Sequence, residues 1–115
     1  MKKLIIITVI LISTASFAQN KNAKVSVKVD GVCMMCKARI EKASLNTKGV
    51  KSAIWNMDTH ELKLIYDERK TDVKTVKTNI VATGHDTEDM KAKDEVYKTI
   101  DNCCQYRDPN VVNSH

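Results

Sequence analysis

The chain has 115 residues, with 19 Lys and Arg against 14 Asp and Glu, four Cys, three Gly and a single Pro. That composition excludes collagen-like, proline-rich and low-complexity chains and leaves one small globular domain. The formal charge of +5 includes Lys2 and Lys3 of an N-terminal segment with a leader's pattern; without them 17 basic residues face 14 acidic ones, a balance of +3. Acidic residues interspersed among the lysines, and few aromatics, give no basic stripe with stacking side chains, so nucleic acid is not expected as a partner.

In chain order, residues 1–18 come first: a charged start at Lys2 and Lys3, an apolar run from Leu4 to Ile12 interrupted only by Thr8, and a small-residue exit at Ser16, Phe17 and Ala18. This is the pattern of a secretory signal peptide cleaved after Ala18. The run is short of the ~20 apolar residues a spanning helix needs, so no stable membrane insertion is expected once the segment is removed. The 97 residues from 19 onward are then expected to work in the periplasm or as a secreted protein, where disulfides persist. All four Cys lie in that part.

Residues 24–30 alternate strictly, Val25, Val27 and Val29 against Lys24, Ser26, Lys28 and Asp30, which predicts a half-buried strand ended by Gly31. From Met35 to about Asn46, Cys36, Ile40 and Ala43 recur at helical spacing while Lys37, Arg39, Glu41 and Lys42 take the outer face, an amphipathic helix stopped at Gly49. Residues 50–57 and 61–66 read as a hairpin turning at Asp58, Thr59 and His60. Thr71 or Asp72 caps a second helix carrying Val73, Val76, Ile80 and Val81 on one side and closed by Gly84. A short last strand is expected over 85–90. The order strand, helix, strand, strand, helix, strand predicts an α+β fold over 19–90, a ferredoxin-like βαββαβ sandwich with both helices on one face of an antiparallel sheet. Residues 91–115 form an extension outside those six elements, with a short helix over 93–104 ending in the adjacent pair Cys103 and Cys104, and fraying beyond Pro109.

Cys33 and Cys36 form a C-x-x-C sequence where the loop after the first strand runs into the first helix. Both sulfurs can converge beside the free N–H groups of the helix start, whose partial positive charge favours thiolate, the form needed for metal binding and for nucleophilic attack. Two soft thiolates without a His or carboxylate close in sequence suit Cu(I) or Hg(II), which accept two sulfur ligands where zinc wants four. A redox dithiol and a structural disulfide are the other readings of the same pair.

The segments Val25 to Asp30, Gly31-Val32-Cys33-Met34-Met35-Cys36, Arg39-Ile40-Glu41-Lys42-Ala43, Gly49-Val50, Ala53, Trp55, Leu62 to Asp67 and Thr83-Gly84-His85-Asp86 resemble the heavy-metal-associated (HMA) domain family over about residues 24–90. That family contains copper chaperones, modules of copper-transporting ATPases and the periplasmic mercuric-ion-binding protein; with a signal peptide, this chain is more similar to the periplasmic branch. The resemblance implies a ferredoxin-like domain that holds one ion between Cys33 and Cys36, and places His85 near the metal loop. The chain departs from the family run Gly-Met-Thr-Cys-x-x-Cys, since Gly31 stands two places before the first Cys and Val32 lies between them.

Cys103 and Cys104 lie outside the family core. Either the tail folds back and one or both sulfurs join Cys33 and Cys36 in a three- or four-sulfur site, or they form a disulfide that holds the tail. The adjacent pair has no spacer, unlike the paired knuckles of four-cysteine zinc sites. The leading expectation is a non-enzymatic protein that captures a thiophilic ion, Cu(I) before Hg(II), Ag(I) or Zn(II), for transfer to a membrane metal transporter or for buffering. A thiol-disulfide oxidoreductase is the alternative, opposed by the absence of a second Pro to face the redox pair, and a disulfide-stabilised interaction domain without metal is another. No constellation of nucleophile, base and orienting group is visible, so an enzyme is not expected.

Overall fold

The computed structural model describes residues 19–115, and the expected signal peptide over 1–18 lies outside the described residues. Strand β1 (Ala23–Lys28) and strand β2 (Val50–Trp55) flank strand β3 (Glu61–Tyr66), both pairings being antiparallel. The register puts Val25 opposite Leu64 and Val27 opposite Leu62 on one side, and Ala53 opposite Leu64 and Trp55 opposite Leu62 on the other. One face of the sheet therefore carries Val27, Ala53, Trp55, Leu62 and Leu64, all buried.

Helix α1 (Met34–Leu45) and helix α2 (Val73–Val81) supply the other half of the core. The expected stripe of α1 is buried at Cys36, Ile40 and Ala43, and that of α2 at Val76 and Ile80. Burying each of the large side chains Ile40, Leu62 and Leu64 contributes about 1.5–3 kcal/mol. Asp72 caps α2, its carboxylate accepting from the Thr75 amide at 2.8 Å. At the hairpin the strand ends earlier than the alternation suggested. Asn56 turns its side-chain oxygen onto the amides of Asp58 and Thr59, and His60 takes a left-handed φ of 61°.

The last expected strand shrinks to one bridge, Val29 to Thr87, beside an Asp30 amide donating to the Asp86 carbonyl at 2.9 Å. Local bonds compete with strand pairing there: the Thr87 amide donates to the Met90 carbonyl at 2.8 Å, and the Asp86 carboxylate accepts from the Ala92 amide at 2.8 Å. The sheet thus has three strands with a fourth segment touching its β1 edge, and the two-layer α+β arrangement stands.

The tail helix expected over 93–104 is broken into one turn of helix, α3 (Asp94–Tyr97), and a 3₁₀ turn over Asn102–Cys104. Between them Ile100 drops into the core and Asp101 is extended, at φ −56° and ψ 144°. The expected fraying beyond Pro109 is not seen either. A short helix α4 (Pro109–Asn113) forms there, capped by Asp108 with Pro109 at its first turn. No helix among the described residues is long and apolar enough to cross a membrane.

Candidate metal centre

Cys33 is the N-cap of α1, extended at φ −141° and ψ 174°, and its carbonyl accepts the first helical bond from the Lys37 amide at 3.0 Å. One turn on, Cys36 is fully buried on the core side of the helix, with its Sγ 3.3 Å from that of Cys33. The loop leading to them lies flat on Trp55. A Cβ on Gly31 would stand 3.0 Å from both the Cys36 Cβ and the Trp55 ring, so glycine is what lets the loop pass. Trp55 is fixed in turn by its indole N–H, which donates to the Val29 carbonyl at 3.0 Å. Glu41 on α1 accepts from the Trp55 amide at 2.9 Å and pairs with Lys37, whose ammonium donates to the Trp55 carbonyl at 2.9 Å. The helix that carries both sulfurs is thereby clamped to the end of β2.

The structure brings the tail cysteines to the same place. Cys104 is fully buried with its Sγ 2.9 Å from that of Cys33, while Cys103 is exposed, its Sγ 4.0 Å from that of Cys104 and 3.6 Å from the Met35 Sδ. All four thiols are free, and the sulfurs of Cys33, Cys103 and Cys104 lie within 4.8 Å of one another. Cys33, Met34, Met35, Met57 and Cys103 line a groove of about 600 Å³ that also receives His60 and the terminal His115. These seven polar or soft side chains reach it from three separate stretches of chain.

The sulfurs differ in acidity. Burial pushes the Cys33 thiol up, but hydrogen bonds from the Cys104 thiol and from the amides of Cys36 and Met35 outweigh it and hold Cys33 below an ordinary thiol. Burial dominates at Cys36 and raises it. Cys104 is pushed up to about 12 by burial and by donating to the Cys33 and Cys36 sulfurs, with the Arg39 guanidinium in part opposing. The first proton therefore leaves Cys33, and the others leave when a cation takes their place.

His85 is close to this site but faces away from sulfur chemistry. It is fully buried, with one ring nitrogen 2.8 Å from the Asp30 carbonyl and the other 3.1 Å from Arg39 Nη1. A carbonyl only accepts and a guanidinium only donates, so Nδ1 carries the proton and both nitrogens are engaged. Burial, partly offset by the Asp30 carbonyl, lowers its pKa to about 4, and the ring is neutral at physiological pH. Its role is to position Arg39. His60 stacks on Trp55 at 5.6 Å between ring centroids, and His115 sits 3.2 Å from the Cys103 carbonyl.

Of the residues that hold the tail in place, Tyr106 and Arg107 were not singled out from the sequence, and Arg39 was read only as part of the outer face of the first helix. Tyr106 donates its hydroxyl to the Gly84 carbonyl at 2.7 Å and accepts from the Asp86 amide at 2.8 Å. Arg107 grips the Asp86 carboxylate with two nitrogens, at 2.8 and 3.1 Å, and lies over the Tyr97 ring at 4.2 Å. Arg39 joins α1 to the tail through Asp101 at 3.2 Å. The partners are far apart in sequence, and the only local signal was an aromatic and an arginine two and three residues past the cysteine pair.

No curated protein sequence matches this chain. Among solved structures, a protein described as the CopZ metallochaperone is 32% identical, with a TM-score of 0.55 over 56% of this chain and 98% of that one. A copper binding domain from HMA7, a P-type ATPase, is 26% identical with a TM-score of 0.55 over 56% of this chain and 89% of that one. Oxidized MerP from Ralstonia metallidurans CH34 shares the fold at 21% identity and a TM-score of 0.54, covering 58% of this chain and 97% of that one. The model of the heavy-metal-associated domain matches residues 26–86, which run from β1 to the bridge segment and include the whole C-x-x-C loop. With more than half of its length matched and the sulfur pair at the start of α1, the chain belongs to the heavy-metal-associated domain family.

Proposed function

We propose that this protein captures one thiophilic ion, Cu(I) foremost, on the sulfurs of Cys33 and Cys36 and buffers it or hands it to a membrane metal transporter. The observation that carries the reading is the sulfur pair itself, 3.3 Å apart at a helix start, with the Cys33 thiol held below an ordinary one by its hydrogen bonds despite burial. A soft monovalent cation replaces the thiol protons and forms bonds that thiolates favour over carboxylate or imidazole. Likeness to the CopZ metallochaperone and to the copper binding domain of a P-type ATPase supports copper over Hg(II), Ag(I) or Zn(II), and a P-type ATPase as the acceptor. The protein acts by binding and release without chemical turnover. The leader pattern over 1–18 supports work outside the cytoplasm, in the periplasm or beyond it.

The test is anaerobic Cu(I) titration of the reduced protein against a competing chelator. Wild type binds one ion per chain, and the double variant Cys33→Ser, Cys36→Ser loses affinity by a factor on the order of 10³ or more, as loss of two thiolate ligands demands. Equal affinity of the two proteins would refute the reading.

A further inference from the structure

We propose that Cys104 is a third sulfur ligand of the same ion, delivered by the C-terminal segment, so that the tail closes the site from within the chain. The inference rests on the reading of Cys33 and Cys36 above and extends it to coordination number and release.

Three observations carry it. The Cys104 sulfur stands 2.9 Å from that of Cys33, nearer than Cys36 does at 3.3 Å. Three thiolates bound at about 2.3 Å in one plane around an ion stand about 4 Å apart, so the Cys33–Cys104 and Cys33–Cys36 separations need to widen by only about 1 Å to admit it. Cys104 is also buried, 0% exposed, so its sulfur is held in the core beside Cys33. Finally, the segment around it is held on the core from both sides. Ile100 seats against Gly84 ahead of the cysteine, and Tyr106 with Arg107 bind Gly84, Asp86 and Ala92 after it. The ordering of this third ligand has been achieved in the folded chain, which strengthens binding as a tethered group does.

Cys103 is different in place. It is exposed and turned to the Met35 sulfur in the groove, where it meets an arriving ion or an acceptor before the buried sulfurs do. In ion binding, three S–H protons go to solvent and three metal–sulfur bonds form, with copper remaining Cu(I) throughout. For release, an acceptor's thiolate bonds to the ion as the bond to Cys104 breaks and Cys104 regains a proton. Each transfer therefore displaces the tail, and the protein holds its ion longer than a two-sulfur site would.

The experiment is X-ray absorption on the Cu(I)-loaded protein together with the chelator competition, for wild type, Cys104→Ser and Cys103→Ser. Three sulfurs in wild type, two in Cys104→Ser with an affinity loss on the order of 10²-fold, and three in Cys103→Ser are expected. Two sulfurs in wild type overturn the proposal, and do so even where Cys104→Ser fails to fold. A Cys104→Ser protein that folds and keeps wild-type affinity within about twofold also overturns it. Neither result touches Cys33 and Cys36, whose double variant tests the underlying reading separately: if that variant still binds Cu(I) as wild type does, the function itself is refuted.

Discussion

Replacing Arg107 with Met removes the charge that holds the tail while keeping most of the side-chain volume. Arg107 binds the Asp86 carboxylate at 2.8 and 3.1 Å, and the two side chains are 28% and 8% exposed. Breaking a buried pair by removing one partner costs about 3–5 kcal/mol. Asp86 keeps its bond from the Ala92 amide, and water can reach the vacated side, so the lower end, about 3 kcal/mol, is expected. For a domain of this size each kcal/mol moves the melting temperature by about 4–8 °C, so Arg107→Met should melt roughly 15 °C lower in thermal unfolding followed by circular dichroism. The pH dependence has a definite sign. Although burial pushes the Asp86 carboxyl up, Arg107 and the Ala92 amide hold it below the ordinary carboxylate range, so its contribution is present above the unfolded value and lost as pH falls through the folded one. The gap between wild type and variant should therefore narrow below about pH 4. A melting shift under about 4 °C at pH 7, or a gap that widens on acidification, would refute this account of the latch.

Two further outcomes follow from the segment beneath the tail. His85, with its pKa lowered to about 4 from 6.5, stays neutral in the folded protein while the unfolded chain takes up a proton, so stability should fall by up to about 3 kcal/mol as pH drops from 6.5 towards 4. An imidazole that titrates near 6.5 in the folded state by NMR would contradict the burial argument. Gly84→Ala places a Cβ 2.8 Å from the Ile100 Cγ2 at a φ of +108°, which should cost about 1–3 kcal/mol and loosen the tail, read as a lower melting temperature and faster amide exchange over 96–107. An unchanged melting temperature would show that neither the close contact nor the backbone strain matters.

Much of the core was legible in the sequence because it follows from local period. The alternation of Val25, Val27 and Val29 and the helical recurrence of Cys36, Ile40 and Ala43 assign faces before any partner is known, and the structure buries Val27, Val29, Cys36, Ile40 and Ala43 as they imply. The sulfur pair was legible for the same reason, since four consecutive residues at a helix start share one turn. Where side chains bind nearby backbone, period fails as a guide. Asp86 and Thr87 tie the chain into a local turn and reduce the last strand to a bridge, and an extended Asp101 splits the tail helix.

By itself, the sequence determined the order of the first five elements, the inward faces and the placing of Cys33 and Cys36 at the first helix start. Only the tertiary structure decided what the tail does. A span of 71 residues separates Cys33 from Cys104, and 21 separate Asp86 from Arg107. No periodicity extends over such distances, because the contacts depend on how packed elements present their surfaces to one another. Three adjustments decide it together: Gly84 lets Ile100 in, Arg39 reaches from α1 to Asp101, and Tyr106 binds across the bridge segment. The buried sulfur of Cys104 arrives beside Cys33 as their joint result.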